Sequence, residues 1–511
     1  MKELKVNQLK IGVILSYVIT GLNMLVNLIY TPVMIQILGK SEYGLYTLVG
    51  SVVSYLSLFS LGFSGAYLRF YSRYANRKDN VGVARLNGMF LTLFMIMSMA
   101  ALICGMFLSC FTELIFGSNL TLMELQKAEV LMRFLVVNIA LTFPSSVMDS
   151  IISSQEQFLF QRIVTLAGII CNPFICLPLL FLGYGSVAVV AVTTLITFAK
   201  LFVNSWYCLK KLHIQFDFHH FNWGLLKEMA GFSFFLFLNM IIDQINWSVD
   251  KFILGRVSGT AAVAVYGVGA QINSLYLGFS TSISSVFSPR VNRIAATNNK
   301  SMCDDFTELF IKVGRIQALI LLLIASGFVI FGEYFITDVY TTIEYRDAYP
   351  VALLLILPVT IPLVQNIGIE IQRAVNKHRV RSVVYIAMAV ANTIVSIPLA
   401  KWFGPVGCAM GTAGSLLIAN GLIMNIYYHK AIGIDMISFW KSMISLCKGM
   451  IFPIIVGCFI MKQVCFDNII NFALWILVYA CVYAVSMWLF GMNTYEKDLV
   501  RKPLNKILRR V

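Results

Sequence analysis

Charge is scarce in this chain. Only 12% of its 511 residues are Asp, Glu, Lys or Arg, about half of the roughly 25% found in soluble domains. That shortage excludes a water-soluble globular protein. No CxxC spacing links the eleven cysteines, and most lie within apolar runs, as Cys104, Cys171 and Cys481 do. They are expected to be packing residues of membrane helices. There is no glycine-rich loop ending in Lys-Ser/Thr, so built-in ATP hydrolysis is not expected. His219–His220 has no complete Cys/His cluster near it, and no metal site is expected there. The N-terminal MKELKVNQLK leads into an apolar span without a small-residue cleavage site, which reads as a retained first helix.

What is present is apolar. Hydrophobic residues make up 59% of the chain, and the mean hydropathy is +0.81. Runs of about 20 such residues are long enough to cross the hydrocarbon of a bilayer. Fourteen candidate spans lie near 11–37, 43–68, 86–111, 131–150, 158–182, 185–208, 230–255, 261–288, 309–331, 348–372, 380–400, 404–429, 440–461 and 470–492. The expected fold is an all-α polytopic membrane protein with little room for a soluble domain.

The formal net charge of +15 could suggest nucleic acid, but the basic residues sit in short connections between spans. With the N-terminus placed in the cytoplasm, the inner connections hold 29 Lys and Arg and the outer ones eight. Such asymmetry orients helices in a membrane. Both termini are expected inside, in a cytoplasmic (inner) membrane, with membrane lipids and no nucleic acid as partners.

The chain also repeats itself. ILG occurs at 37–39 and 253–255, and LGFS at 61–64 and 277–280, each pair 216 residues apart. That offset sets Asn23 against Asn239, Asn27 against Asp243 and Arg77 against Arg293. Two six-helix lobes entering the membrane in the same direction are expected, an arrangement that suits rocking around a central cavity. The expected divisions are a lobe over 1–208, a cytoplasmic linker over 209–229, a second lobe over 230–429, and two additional spans with a tail over 430–511.

The passage TPVMIQILGKSEYGLYTLVGSVVSYLSLFSLGFSGAYLRFYSRY at 31–74, with the duplicated lobes, resembles the bacterial polysaccharide-export flippases. These belong to the larger multidrug, oligosaccharidyl-lipid and polysaccharide exporter superfamily. The resemblance implies no enzymatic step. It implies alternating-access flipping of an undecaprenyl-diphosphate-linked oligosaccharide to the outer leaflet, for O-antigen, capsule or a related polymer. It also implies polysaccharide polymerase machinery as a partner. No cofactor is expected, and a proton or sodium gradient would replace ATP. A cation-coupled drug or metabolite exporter on the same scaffold is the competing assignment, and a non-transporting membrane assembly is a third. Helix one lacks both the acidic residue expected in many multidrug exporters and the central arginine expected in lipid-linked peptidoglycan-precursor flippases.

Several polar residues fall inside apolar runs. Asn239, Asp243, Asn246 and Asp250 sit at steps of 0, 4, 7 and 11, on one helical face. Against lipid such a face is costly, so it should turn to protein or to a water-filled cavity. Asp243 and Asp250 are candidates for ion coupling or gating, with interhelical bonding as the structural alternative. Asn23 and Asn27, one turn apart, could bond sugar hydroxyls or another helix. Arg69 and Arg73, with Arg290 and Arg293, are candidates for an inner mouth that attracts diphosphate; membrane anchoring is the alternative. Pro32, Pro358 and Pro362 are expected kinks, and Tyr30, Tyr266 and Tyr276 are candidate sugar-stacking rings.

Overall fold

The structure is a computed structural model describing residues 2–499 and 501, apart from 64–66, 118, 220–222, 298–301, 376, 378, 465 and 467. His220 and the tail lysines and arginines after 501 lie outside the described residues. The described chain is all-α. In order come α1 (Lys2–Val53), α2 (Tyr67–Ala75), α3 (Asn80–Ser109), α4 (Thr112–Phe116), α5 (Leu122–Ser154), α6 (Phe158–Phe181), α7 (Gly185–Trp206) and α8 (Trp223–Thr297). They are followed by α9 (Met302–Tyr334), α10 (Ala348–Val364), α11 (Ile367–Ala374), α12 (Arg379–Leu416), α13 (Met424–Tyr427), α14 (Met436–Ile444), α15 (Cys447–Gln463) and α16 (Ile469–Ser486).

Among the described residues ten helices are long and apolar enough to cross a membrane, or eleven if α10 and α11, bent by 43°, form one span. The chain is thus an all-α polytopic membrane protein. Large apolar side chains such as Ile29, Phe107, Phe174 and Trp402 remain exposed. In water each would forgo about 1.5–3 kcal/mol of burial; against lipid tails that penalty disappears.

Local chemistry sets the helix ends. The Thr121 hydroxyl accepts from the Glu124 amide while the Glu124 carboxylate accepts from the Thr121 amide, a reciprocal capping box that starts α5. Asp79 caps α3 through the Gly82 amide. Single glycines interrupt three long helices: Gly39 (φ 74°) in α1, Gly259 (φ 79°) in α8 and Gly404 (φ 57°) in α12. Only glycine takes such a φ without a Cβ penalty. The ILG register sets Gly39 against Gly255, yet the glycine that breaks α8 is Gly259, one turn further on. Gly255 serves packing instead, because a Cβ there would collide with Leu48.

The chain divides into two compact units, Met1–Gly267 and Val268–Val511. In the first, α5 packs against α3 and α7, and α1 against α6. The connection after α7 is tied down: the Asp217 amide donates to Ala84 O at 3.0 Å and Asn87 Nδ2 to Gln215 O at 3.2 Å. In the second unit α9 packs against α10, α11, α14, α15 and α16. Phe331, Ile460, Phe472 and Tyr479 form an aromatic-rich core there.

Candidate functional site

The limb of α8 before Gly259 carries the polar face expected from its spacing, but its members have different surroundings. Asp243 is exposed and Asn246 half-buried, whereas Asp250 is 1% exposed. Tyr266 Oη donates to Asp250 Oδ2 at 2.5 Å. The Asn239 side chain lies outside the described residues. A second polar row, missed in the sequence, lies beside the first. Gln244 Nε2 donates to Ser54 Oγ and, at 2.7 Å, to Ser248 Oγ, and the two serine hydroxyls are 3.3 Å apart. The i, i+4 spacing of Gln244 and Ser248 was legible, but uncharged residues attract less notice in an apolar run.

At the end of the first unit where Gly39 and Gly259 turn the chain, two carboxylates gather donors. Glu124 Oε1 accepts from Ser41 Oγ at 2.5 Å and from Thr260 Oγ1 at 2.8 Å. Its Oε2 accepts from the Thr121 amide and hydroxyl. Ser41 follows the Gly39 break and Thr260 the Gly259 break, so one carboxylate ties the two turns together. Gly44 permits their approach, since a Cβ there would strike the Thr260 carbonyl. Next to this cluster, Glu42 Oε1 takes the Lys127 ammonium at 2.5 Å and the Ser186 amide at 2.5 Å.

Asn23 and Asn27 do face one another. Asn27 Nδ2 donates to Asn23 O at 2.8 Å and Asn23 Oδ1 at 3.1 Å. Arg69 and Arg73 both project from α2 and are exposed. Arg73, however, pairs with Glu228 at 3.0 Å, which neutralises part of its field. Arg290 and Arg293 line a cavity of about 570 Å³ with Asp305 and Glu308. Two cations there face two carboxylates, so the wall is mixed in charge. Tyr266 and Tyr276 are buried, at 4% and 2% exposed, and neither ring is open to a sugar.

Three further constellations were not foreseen. Tyr276, Ser280, Ser284 and Ser288 recur every four residues along α8 and form a seam. Tyr276 Oη lies 2.8 Å from Thr360 Oγ1, and Ser280 Oγ donates to Leu363 O at 3.2 Å. Ser284 Oγ accepts from Gln317 Nε2 at 2.6 Å and Asn366 Nδ2 at 2.9 Å. Ser288 Oγ donates to Glu370 Oε2 at 3.0 Å. The seam runs along the bend between α10 and α11, where the Pro358 and Pro362 kinks were expected. The second constellation is Asp149, which binds Lys200 Nζ at 2.7 Å and Asn204 Nδ2 at 2.8 Å across α5 and α7. The third is Arg315, 4% exposed, paired with Glu496, 3% exposed. Its Nε and Nη2 reach the two carboxylate oxygens at 2.5 and 3.0 Å. The remaining donors go to Ser442 O, Ser445 Oγ and Gly491 O, each at 2.8 Å. Sequence spacing could not pair residues 315 and 496. Among the described residues no group of three or more His, Cys, Asp or Glu could hold a metal ion.

The fold has solved counterparts. The inward closed conformation of the lipid II flippase MurJ superposes with a TM-score of 0.71 at 16% identity, covering 96% of this chain and 99% of that one. An inward-facing multidrug resistance MATE transporter of the MOP superfamily gives 0.62 at 13% identity, over 79% and 92% of the two chains. A MOP superfamily transporter from Pyrococcus furiosus gives 0.54 at 13%, over 90% and 96%. At these identities the likeness is one of fold. No curated protein matches the chain. The family model described as polysaccharide biosynthesis protein matches residues 9–295, more than half of the sequence. On that match, and with the fold of the MOP transporters, the chain belongs to the polysaccharide biosynthesis protein family.

Proposed function

We propose that this protein flips an undecaprenyl-diphosphate-linked oligosaccharide from the cytoplasmic to the outer leaflet of a bacterial inner membrane, for O-antigen, capsule or related polymer synthesis. The observation that carries the reading is the family match over residues 9–295, on a fold shared with a lipid II flippase along nearly the whole chain. In this reading the chain makes fourteen crossings in two six-helix lobes plus two, with both termini cytoplasmic. In support, α1 and α8 are each long enough to supply two crossings, as is α12 with its helical continuation to Ile432, and α10 and α11 together supply one.

Alternating access needs an end that closes and reopens without a large penalty. The Glu124 cluster suits the outer end, because its hydrogen bonds are few and partly exposed and could be exchanged with water. Arg69, Arg73, Arg290 and Arg293 are exposed at the inner end in this topology and would draw the diphosphate by charge, with Arg69 the leading candidate. Asn23 and Asn27 offer sugar-bonding amides. Asp243, exposed on the polar face of α8, is the ion-responsive group, and Asp250, held by Tyr266, is a gating residue. The polymerase machinery would receive the product.

Reconstitution in liposomes tests this. We expect transfer of a lipid-diphosphate-linked oligosaccharide, faster under a proton or sodium gradient, and no transfer of a cationic drug. Drug export without lipid transfer would instead establish the cation-coupled exporter. Asp243→Asn should abolish the gradient effect while leaving the melting temperature unchanged; an unaltered gradient response removes Asp243 from coupling.

A further inference from the structure

In the second unit, a cavity of about 550 Å³ opens between residues 421–425 and α14. Gly421, Ile437 and Ile444 form its apolar wall, and Asn425, Trp440 and Lys441 its polar edge. Ile437 and Ile444 are 72% and 66% exposed on a segment long and apolar enough to cross a membrane. The surroundings of this wall are therefore hydrocarbon rather than water.

The polar edge is almost fully spent. Trp440 Nε1 donates to Asn425 Oδ1 at 2.6 Å, and Gln365 Nε2 reaches the same oxygen at 3.1 Å. Asn425 Nδ2 is used on Asn420 O and on Gly421 O at 3.0 Å. The Lys441 ammonium is the exception. Among the described residues it has no ion-pair or hydrogen-bond partner, and Lys448, two turns along the same face, has none either. An apolar slot with an indole and an unneutralised ammonium at one end matches an amphiphile with a hydrocarbon chain and an anionic head.

The slot is also preformed. Asp435 caps α14 by accepting from the Ile437 and Ser438 amides at 3.0 and 3.1 Å. The Ser438 hydroxyl, with those amides, holds the Asp435 carboxyl below its usual range. The opposite side of α14 is fastened through Ser442 and Ser445 to Arg315. The wall therefore keeps its shape without a ligand, which lowers the cost of binding one.

We propose that this crevice binds an anionic membrane phospholipid, with an acyl chain along Gly421, Ile437 and Ile444 and the phosphate on Lys441 Nζ. The inference does not rest on the transported substrate and stands whether the protein flips lipid-linked sugars or exports something else.

Native mass spectrometry of delipidated protein in detergent, titrated with phosphatidylglycerol or phosphatidylcholine, tests the assignment. Wild type should prefer phosphatidylglycerol. One Lys near a membrane surface contributes about 1 kcal/mol to anionic-lipid attraction, so Lys441→Gln should reduce that preference about five-fold. Gly421→Trp should fill the slot and lower binding of both lipids, and Gly421→Leu serves if the larger variant fails to fold. Equal binding of the two lipids by wild type, or an unchanged preference in Lys441→Gln, would overturn the proposal. Competition by inorganic phosphate would show a free-anion site and also overturn it. So would a dimer that Gly421→Trp dissociates, because a second copy would then be the occupant.

Discussion

The two compact units use charge in opposite ways. In the first, Glu124 and Glu42 sit half-buried where the chain turns, sharing hydroxyls, amides and one lysine. In the second, Arg315 and Glu496 are buried together with every guanidinium nitrogen occupied. A half-exposed cluster can exchange its bonds for water at small cost, so it suits a joint that opens. A buried bidentate pair cannot, because separating it strands two charges in a low-dielectric interior. The first arrangement resembles a latch and the second a rivet. The difference shows that charge inside a membrane protein is not one kind of signal, since its meaning depends on access to water.

The comparison can be broken most forcefully at the rivet. Arg315→Ala should cost about 3–5 kcal/mol, because it leaves Glu496 buried and unpaired. Thermal unfolding in detergent should show a large fall in melting temperature, and the double variant with Glu496→Ala should recover part of it. A melting temperature within a degree of wild type would mean the pair is not fastening α14 and the chain around 496 to α9. The latch should respond differently. Glu124→Ala should cost only about 1–2 kcal/mol, the scale of a lost helix cap and its hydrogen bonds. It should, however, raise thiol labelling of a cysteine placed at Ser41 in intact cells. Unchanged labelling would remove the latch from gating and leave Glu124 as a cap alone. The smallest effect should come from the seam. Ser284→Ala should cost about 1 kcal/mol, since Gln317 still has Ser280 as an acceptor; a loss above about 3 kcal/mol would make the seam a second rivet.

Much of this was legible in order along the chain. The α8 stripe was visible because Asp243 and Asp250 are charges in an apolar run, and a charge there stands out at any spacing. The seam of Tyr276, Ser280, Ser284 and Ser288 has equally regular spacing, but hydroxyls are common in transmembrane helices and carry no alarm. The repeat was read through ILG and LGFS, whose register sets Gly255 against Gly39, whereas the left-handed glycine of α8 is Gly259, inside the gap between the expected spans 230–255 and 261–288. Identity of side chains does not report which glycine has the left-handed backbone.

Composition and periodicity by themselves determined that the chain lives in a membrane as helices, because 12% charge cannot solvate a 511-residue surface and lipid demands internally bonded backbone. They also picked out the charged stripe of α8, though not the seam beside it or the clusters around Asp149 and Arg315. The tertiary structure alone decided that Asp243 is open while Asp250 lies under Tyr266. It likewise decided that Glu124 joins two turns 219 residues apart, and that Arg315 is buried against Glu496. These depend on which helices become neighbours, and burial, partner and dielectric follow from that neighbourhood, not from distance along the chain.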